Sequence, residues 1–231
     1  MHIKEAIILA GGLGTRLKSA VPDLPKCMAP VNGKPFIVYV IQYLKQQGVE
    51  KFIFALGYKS ESFESFLKEE ESTISYQLSI EQEPLGTGGA IKLACLKCTE
   101  KNVLITNGDT LFKADINKIS AFHFKMGADC TLALKPMHHF ERYGVVQLNE
   151  DYSIKNFKEK QFYEEGLING GLYALNVAHF LNEALPEKFS FEKDYLETLY
   201  YKRKMYGLTQ DAYFIDIGIP EDYKRAQVEI R

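Results

Sequence analysis

The 231-residue chain predicts an α/β fold, with a doubly wound, mixed but mainly parallel sheet in its first part and a small antiparallel layer in its second. Three observations carry this. Short apolar runs alternate with amphipathic helical patterns through the first half, an order that implies right-handed crossovers between parallel strands. Several of the runs end in glycine, amide or carboxylate residues, as strands do where a doubly wound sheet presents its binding edge. Beyond Asp129 the texture changes to short strands at hairpin-like spacing.

Taken in order, residues 5–10 read as a strand. Residues 36–46 read as a helix with Phe36, Val40, Tyr43 and Leu44 on one face, entered by Pro35 and closed by Gly48. Residues 51–56 are a strand, 60–71 a helix with Phe63, Phe66 and Leu67 inward, 74–81 an alternating strand, 88–96 a helix and 102–106 a strand that stops at Asn107-Gly108-Asp109. Strands follow at 130–136, 144–148, 154–157 and 168–176, helices at 177–185 and 192–203, a strand at 212–217 and a last helix from Glu221. No repeat, low-complexity tract or linker interrupts the run, so one folded unit is expected.

Hydrophobic residues make up 46% and charged residues 25%, the balance of an ordinary globular protein. With 28 Lys and Arg against 30 Asp and Glu the formal charge is -2, so no global basic field favours nucleic acid and any anion site must be local. No stretch approaches the ~20 apolar residues of a membrane span, and no cleavable signal pattern opens the chain. A cytoplasmic protein without membrane association is expected. The four cysteines are too few and scattered for a disulfide framework, and Cys95-x-x-Cys98 lacks a second pair at zinc-ligand spacing.

The most informative stretch is Gly11-Gly12-Leu13-Gly14-Thr15-Arg16-Leu17, between the apolar run 6–10 and Pro25-Lys26. Glycines after a strand leave backbone N–H groups unshielded, and Arg16 and Lys26 add positive charge, which makes a surface for polyphosphate. A dinucleotide fingerprint fails because Leu17 holds its third glycine position, and no Gly-Lys-Ser/Thr completes a Walker loop. A second glycine turn, Glu81-Gln82-Glu83-Pro84-Leu85-Gly86-Thr87-Gly88-Gly89-Ala90, runs into a helix N-terminus where backbone donors and an amide can face a base or ribose, or where Thr87 can serve as N-cap. Asp109 closes an apolar strand and Asp216 is embedded in another. Singly each suits a turn or cap; as a pair beside phosphates they supply the one or two carboxylates that Mg²⁺ prefers.

The run G-G-x-G-T-R-L, then Pro25-Lys26, then Gly33-Lys34-Pro35, resembles the N-terminal signature of the sugar-phosphate nucleotidyltransferases. The resemblance spans nearly the whole chain. It implies a Rossmann-like fold of the nucleotide-diphospho-sugar transferase type, with a nucleotide-binding part at about 1–128 and a sugar-phosphate-binding part at about 129–231. It implies nucleotide contacts at Leu9, Ala10, Gly11, Gly12, Gly14, Thr15, Arg16, Gln82, Pro84, Gly86, Thr87, Gly88, Asn107 and Gly108, and Mg²⁺ on Asp109 and Asp216. Phe157-Lys158-Glu159-Lys160 resembles the family's Glu-Lys segment, with Gln161 where a proline usually follows. Tyr143-Gly144-Val145-Val146 and Ile168-Asn169-Gly170-Gly171 resemble its sugar-binding strands. Sugar-phosphate contacts are thereby expected at Lys26, Gly144, Glu159, Lys160, Asn169 and Gly170, and catalytic roles at Arg16, Lys26, Asp109, Lys160 and Asp216.

The form Arg16-Leu17-Lys18-Ser19-Ala20-Val21-Pro22-Asp23-Leu24-Pro25-Lys26 is most similar to the short D-glycero-D-manno-heptose 1-phosphate guanylyltransferases of surface-glycan synthesis. The expected partners are thus small molecules, a nucleoside triphosphate and a sugar 1-phosphate, and a homodimer is compatible with the chain. Residue chemistry alone does not choose guanine, since an amide and backbone groups read purine and pyrimidine edges alike. A mannose- or hexose-1-phosphate guanylyl-, uridylyl- or cytidylyltransferase is the alternative enzyme, and a nucleotide-sugar-binding regulatory module the alternative of another class.

Overall fold

A computed structural model describes residues 2–12, 24–57, 61–70 and 74–230, with the side chains of 63–68 in the segment 61–70. Strands β1 (Glu5–Leu9), β4 (Lys51–Leu56), β5 (Ser75–Ile80) and β6 (Asn102–Asn107) form the parallel heart of a nine-stranded sheet in the order β6-β1-β4-β5. The small hairpin β2 (Pro30–Val31) and β3 (Lys34–Pro35) leads into helix α1 (Phe36–Gln46), and α2 (Glu61–Glu70) and α3 (Gly86–Cys95) supply the next two crossovers.

Both faces of the parallel strands are covered, and their side chains divide between two cores by simple alternation. Ala6, Ile8, Phe52, Phe54 and Leu104 face α1, with Phe36, Ile37, Val40, Ile41 and Leu44, together with Phe63 and Leu67 of α2. Ile7, Ile53, Ala55, Val103 and Ile105 face the other way, onto Ile91, Ala94 and Cys95 of α3 and a ring cluster of Phe180, Phe191 and Tyr195. Two faces, each closed by helices, explain why β1, β4 and β6 are almost continuously apolar, whereas β5, at the sheet edge, alternates polar and apolar residues.

After β6 the chain makes β7 (Thr110–Phe112) and then α4 (Ile116–Met126), a helix that periodicity alone had not marked. Its boundaries are nonetheless chemically plain: Asp115 accepts from Lys118 N at 3.0 Å as N-cap, and Gly127 closes it at φ 54° in the left-handed region. The antiparallel half comprises β8 (Cys130–Phe140), β9 (Val145–Leu148), β10 (Ile154–Lys158) and β11 (Tyr163–Asn176). It is continuous with the main sheet, because β11 pairs with β6 from Leu172 to Asn176 and with β8 along its length. A register shift between Asn169 and Tyr173 bends β11, and Gly171 takes φ 69° there, where a side chain would stand 2.8 Å from Asn107 Nδ2.

The remaining elements differ in detail from expectation. Helix α5 (Val177–Leu181) is short, and the stretch expected as one helix at 192–203 is a π-helical turn, Phe191–Leu196, running into the single turn α6 (Glu197–Leu199). Burial of Phe191, Tyr195 and Leu196 in one core drives the wider winding, which keeps all three inward. A further strand, β12 (Met205–Thr209), adds to β8 in parallel; its Tyr-Gly-Leu pattern is too short to announce itself. β13 (Phe214–Asp216) pairs only with β7, as a separate two-stranded ladder, and α7 (Pro220–Glu229) follows with proline in its first turn.

One buried polar link ties α4 to the sheet. The His123 ring lies within hydrogen-bond distance of Thr131 Oγ1 (2.9 Å) and Asn102 Oδ1 (3.0 Å), and burial lowers its pKa from the ordinary 6.5 to about 4. Between those two values the unfolded chain binds the proton and the folded one does not, so stability is complete above pH 6.5 and falls as the pH drops toward 4. From pH 7 to pH 5 this group costs about 2 kcal/mol. Denaturant titrations at the two pH values will show that much less pH dependence in His123→Gln than in the unsubstituted protein; equal dependence would remove His123 as its source.

Candidate active site

The carboxyl ends of β1 and β6 open into the site. Past β6, Gly108 N donates to Leu9 O at 2.9 Å, which lays the chain across the end of β1 and leaves Asp109 at its rim. A Cβ at Gly108 would lie 3.0 Å from that same carbonyl and 3.2 Å from Cys27 Cβ, so glycine makes the crossing without displacing its neighbours. From Asp109 the chain enters β7, whose Thr110 pairs with Asp216 of β13, and Ile217 N donates to Asp109 O at 3.0 Å. Two carboxylates separated by more than a hundred positions are thus neighbours.

Lys26 completes the group. It begins the 3₁₀ turn Lys26–Met28, and its Nζ lies 2.6 Å from Asp109 Oδ2. A Cβ at Gly218 would stand 2.9 Å from Lys26 Nζ and 2.7 Å from Asp216 Oδ1, so both groups crowd one point that a glycine leaves clear. Gly218 N donates to Asp216 Oδ1 at 2.8 Å. Burial, and then the charge of Asp109, raise the Asp216 carboxyl above its ordinary range, against the opposing pull of Lys26, the Gly218 N–H and Arg142. Arg142 is itself paired with Asp222 of α7, and its guanidinium carbon lies 5.5 Å from the centre of the Tyr143 ring.

Two cavities meet here. The smaller, of about 250 Å³, is lined by Leu9, Ala10, Gly12, Lys26, Cys27, Thr87, Asn107, Asp109 and Glu192. The larger, of about 620 Å³, takes Asn107, Thr110, Tyr143, Gly144, Asn169, Gly170 and Asp216 on one side and Glu159, Lys160, Glu192, Lys193 and Glu197 among its other walls. Asn107 and Glu192 belong to both, which makes them the seam. Thirteen of the residues expected from the sequence are therefore gathered in one continuous cleft.

Others lie elsewhere. Gly14, Thr15 and Arg16 fall outside the described residues. Gln82 and Pro84 are exposed on the loop before α3 and line neither cavity; that loop is held by Glu81 Oε2, which accepts from Leu85 N at 3.1 Å. Gly11, Gly86 and Gly88 serve close approach between segments: side chains there would meet Gly57 N at 2.5 Å, Phe189 O at 2.5 Å and the Phe189 ring at 2.1 Å. Thr87 is not the N-cap of α3, a position held by Leu85, because its hydroxyl is engaged by Phe191 N and Glu192. Asn169 uses its amide within β11, donating to the Tyr173 hydroxyl at 2.8 Å and accepting from Gly171 N at 3.1 Å.

Sequence reasoning missed Glu192, Lys193, Glu197 and Gly218. The Ser-x-x-x-Asp pattern at Ser190–Asp194 was a usable signal for a capped turn: Ser190 Oγ accepts from Lys193 N at 3.2 Å and Asp194 Oδ2 accepts from Ser190 N at 2.7 Å. Nothing local marks Glu197 as a wall of the cleft, since only the π turn brings it there.

The donor set suits a hard divalent cation. Two carboxylates sit against a single ammonium, leaving a local excess of negative charge and oxygen atoms free to coordinate.

Comparison with known proteins agrees with this geometry. The sequence profile of the nucleotidyl transferase family matches residues 5–231. The chain is 55% identical to the D-glycero-alpha-D-manno-heptose 1-phosphate guanylyltransferase of Aneurinibacillus thermoaerophilus, over 98% of each chain. It is 48% identical to the enzyme of the same name from Campylobacter jejuni, over 95% of this chain and 96% of that one. The crystal structure of HddC from Yersinia pseudotuberculosis complexed with GMP-PN superposes with a TM-score of 0.86 at 37% identity, covering 99% of this chain and 100% of that one. The chain belongs to the nucleotidyl transferase family.

Proposed function

We propose that this chain transfers the guanylyl group of GTP to D-glycero-α-D-manno-heptose 1-phosphate, giving the GDP-sugar and pyrophosphate. The carrying observation is the Lys26–Asp109–Asp216 group, with Lys26 and Asp109 on the smaller of two adjoining cavities and Asp216 on the larger. The guanylyl and heptose parts rest on the names of the two relatives and on the nucleotide in the HddC structure.

The chemistry needs no protein nucleophile. An oxygen of the sugar 1-phosphate attacks the α-phosphorus of GTP in line, a new P–O bond forms, and the bond to the β-phosphate oxygen breaks as pyrophosphate leaves. Charge repulsion and alignment are the barrier, so positioning and cations dominate catalysis. In this reading the smaller cavity takes the nucleotide, with backbone at Leu9, Ala10 and Gly12 beside it, and the larger takes the sugar phosphate against Gly144, Glu159, Lys160, Asn169 and Gly170. Lys26 offers its ammonium to the reacting phosphates while Asp109 holds it in place. Lys160 supplies a second cation from the opposite wall, and Arg16 keeps the role of holding the leaving pyrophosphate that its motif implies. Asp109 and Asp216 would hold Mg²⁺, which when bound supplies charge neutralisation for the phosphates. A cytoplasmic site of action fits phosphorylated substrates, and among the described residues no helix is long and apolar enough to cross a membrane.

Two measurements test this. With Mg²⁺, each nucleoside triphosphate and a panel of heptose, mannose and glucose 1-phosphates, pyrophosphate release will be fastest with GTP and the heptose 1-phosphate. Faster release with another pair would reassign the substrate, and binding without release would leave a regulatory module. Lys26→Ala and Asp109→Asn will each lower kcat/KM by about 10²–10³-fold, by analogy with other preorganised charge donors. Turnover near that of the unsubstituted protein in both would sink the assignment.

A further inference from the structure

Glu192 belongs to both cavities, yet it stands on neither a main strand nor a long helix. Its position is set by hydroxyl groups. Thr87 Oγ1 donates to Glu192 Oε2 at 2.9 Å and Ser190 Oγ donates to the same oxygen at 3.2 Å. Thr87 Oγ1 in turn accepts from Phe191 N at 2.9 Å, so its one donor and one of its two acceptor sites are used within this contact. On either side, Phe189 N donates to Leu85 O and Gly88 N donates to Phe189 O, each at 3.0 Å. The first turn of α3 and the segment from Phe189 to Glu192 are thereby clasped together.

The two clasped segments serve different halves of the cleft. Thr87 lines the smaller cavity, whereas Ser190, Lys193 and Glu197 line the larger. The glycine at Gly88 lets the Phe189 ring pack against the first turn of α3. We propose that the Thr87–Glu192 pair is a positioning device that holds the nucleotide-side wall in register with the sugar-side wall, and so aligns the attacking phosphate oxygen with the α-phosphorus. This rests on the two-substrate reading above. Alignment is where such a device acts, since a misplacement of ~1 Å can cost on the order of 10²-fold in rate. The hydroxyl also restrains a carboxylate that borders the path of two phosphates, where an unheld negative charge would repel them.

Thr87→Val keeps the branched shape and removes both hydrogen bonds, Thr87→Ser keeps the hydroxyl, and Glu192→Gln keeps one acceptor oxygen. Each is assayed for kcat and for KM toward GTP and the heptose 1-phosphate, for GTP affinity alone by calorimetry, and for melting temperature. The expected result is a fall of about 10–100-fold in kcat at saturating GTP for Thr87→Val, beyond any change in GTP affinity, and restoration in Thr87→Ser. The double variant Thr87→Val/Glu192→Gln is expected to be no slower than Thr87→Val, as for two partners in one contact. The inference is overturned if Thr87→Val keeps kcat within about threefold, if its defect is a loss of GTP affinity or of melting temperature alone, if serine does not restore turnover, or if the two substitutions add. An unsubstituted protein that releases no pyrophosphate with any pair overturns the reading of the preceding subsection and this one together; normal release beside an unaffected Thr87→Val overturns this one alone.

Discussion

The site depends on one short pairing. Thr110–Phe112 and Phe214–Asp216 form a two-stranded antiparallel ladder set apart from the main sheet, and it is this ladder that places Asp216 beside Asp109. The ladder's core face is held by Leu111 and Ile215, both buried, and its other face, the one that carries Asp216, by Phe112 and Phe214, whose rings meet edge to face at 5.7 Å. The division follows from strand alternation: Ile215 points into the core, so its neighbour Asp216 turns toward the cleft. A core contact on one residue thus orients the carboxylate on the next.

Glycine does a comparable job for the backbone around it. At Gly108, Gly171 and Gly218 the chain passes so close to a carbonyl, an amide or two charged side chains that a Cβ would crowd them or push them aside. These positions sit at strand ends or at a bend in β11, where the cleft's walls converge. The converging walls are what a bimolecular reaction between two anions requires, because each substrate must be brought near the other against their repulsion. The Lys26 ammonium, held by Asp109, places positive charge at the point of convergence.

Much of this was legible in the chain. The alternation of apolar runs and amphipathic helices along residues 5–107 specified the parallel strands, because both faces of that sheet are buried and periodicity reports burial directly. Asp109 and Asp216 stood out because carboxylates at the end of an apolar run or within one have little structural excuse, and Lys26 because Pro25-Lys26 belongs to a recognisable motif. The rest was hidden for reasons that differ from case to case. Helix α4 carried its signals in Asp115 and Gly127 rather than in its periodicity. β12 is stabilised by pairing with β8, a contact distant in sequence and invisible in five residues. The roles of Glu192 and Glu197 depend on a wide helical turn that follows from how Phe191, Tyr195 and Leu196 fill a common core. Gln82 shows the converse: its motif is legible, but the described loop leaves it exposed, away from both cavities.

The lateness of β13 in the chain has a consequence for biogenesis. The parallel strands and their covering helices can assemble from local segments as they leave the ribosome, whereas the ladder that carries Asp216 must wait for residues 214–216 and then close a loop of about a hundred residues back onto β7. A nascent chain therefore acquires its hydrophobic layers first and its second acidic anchor last. Any pairing of the two carboxylates therefore waits until residues 214–216 have been made, about a hundred positions after Asp109.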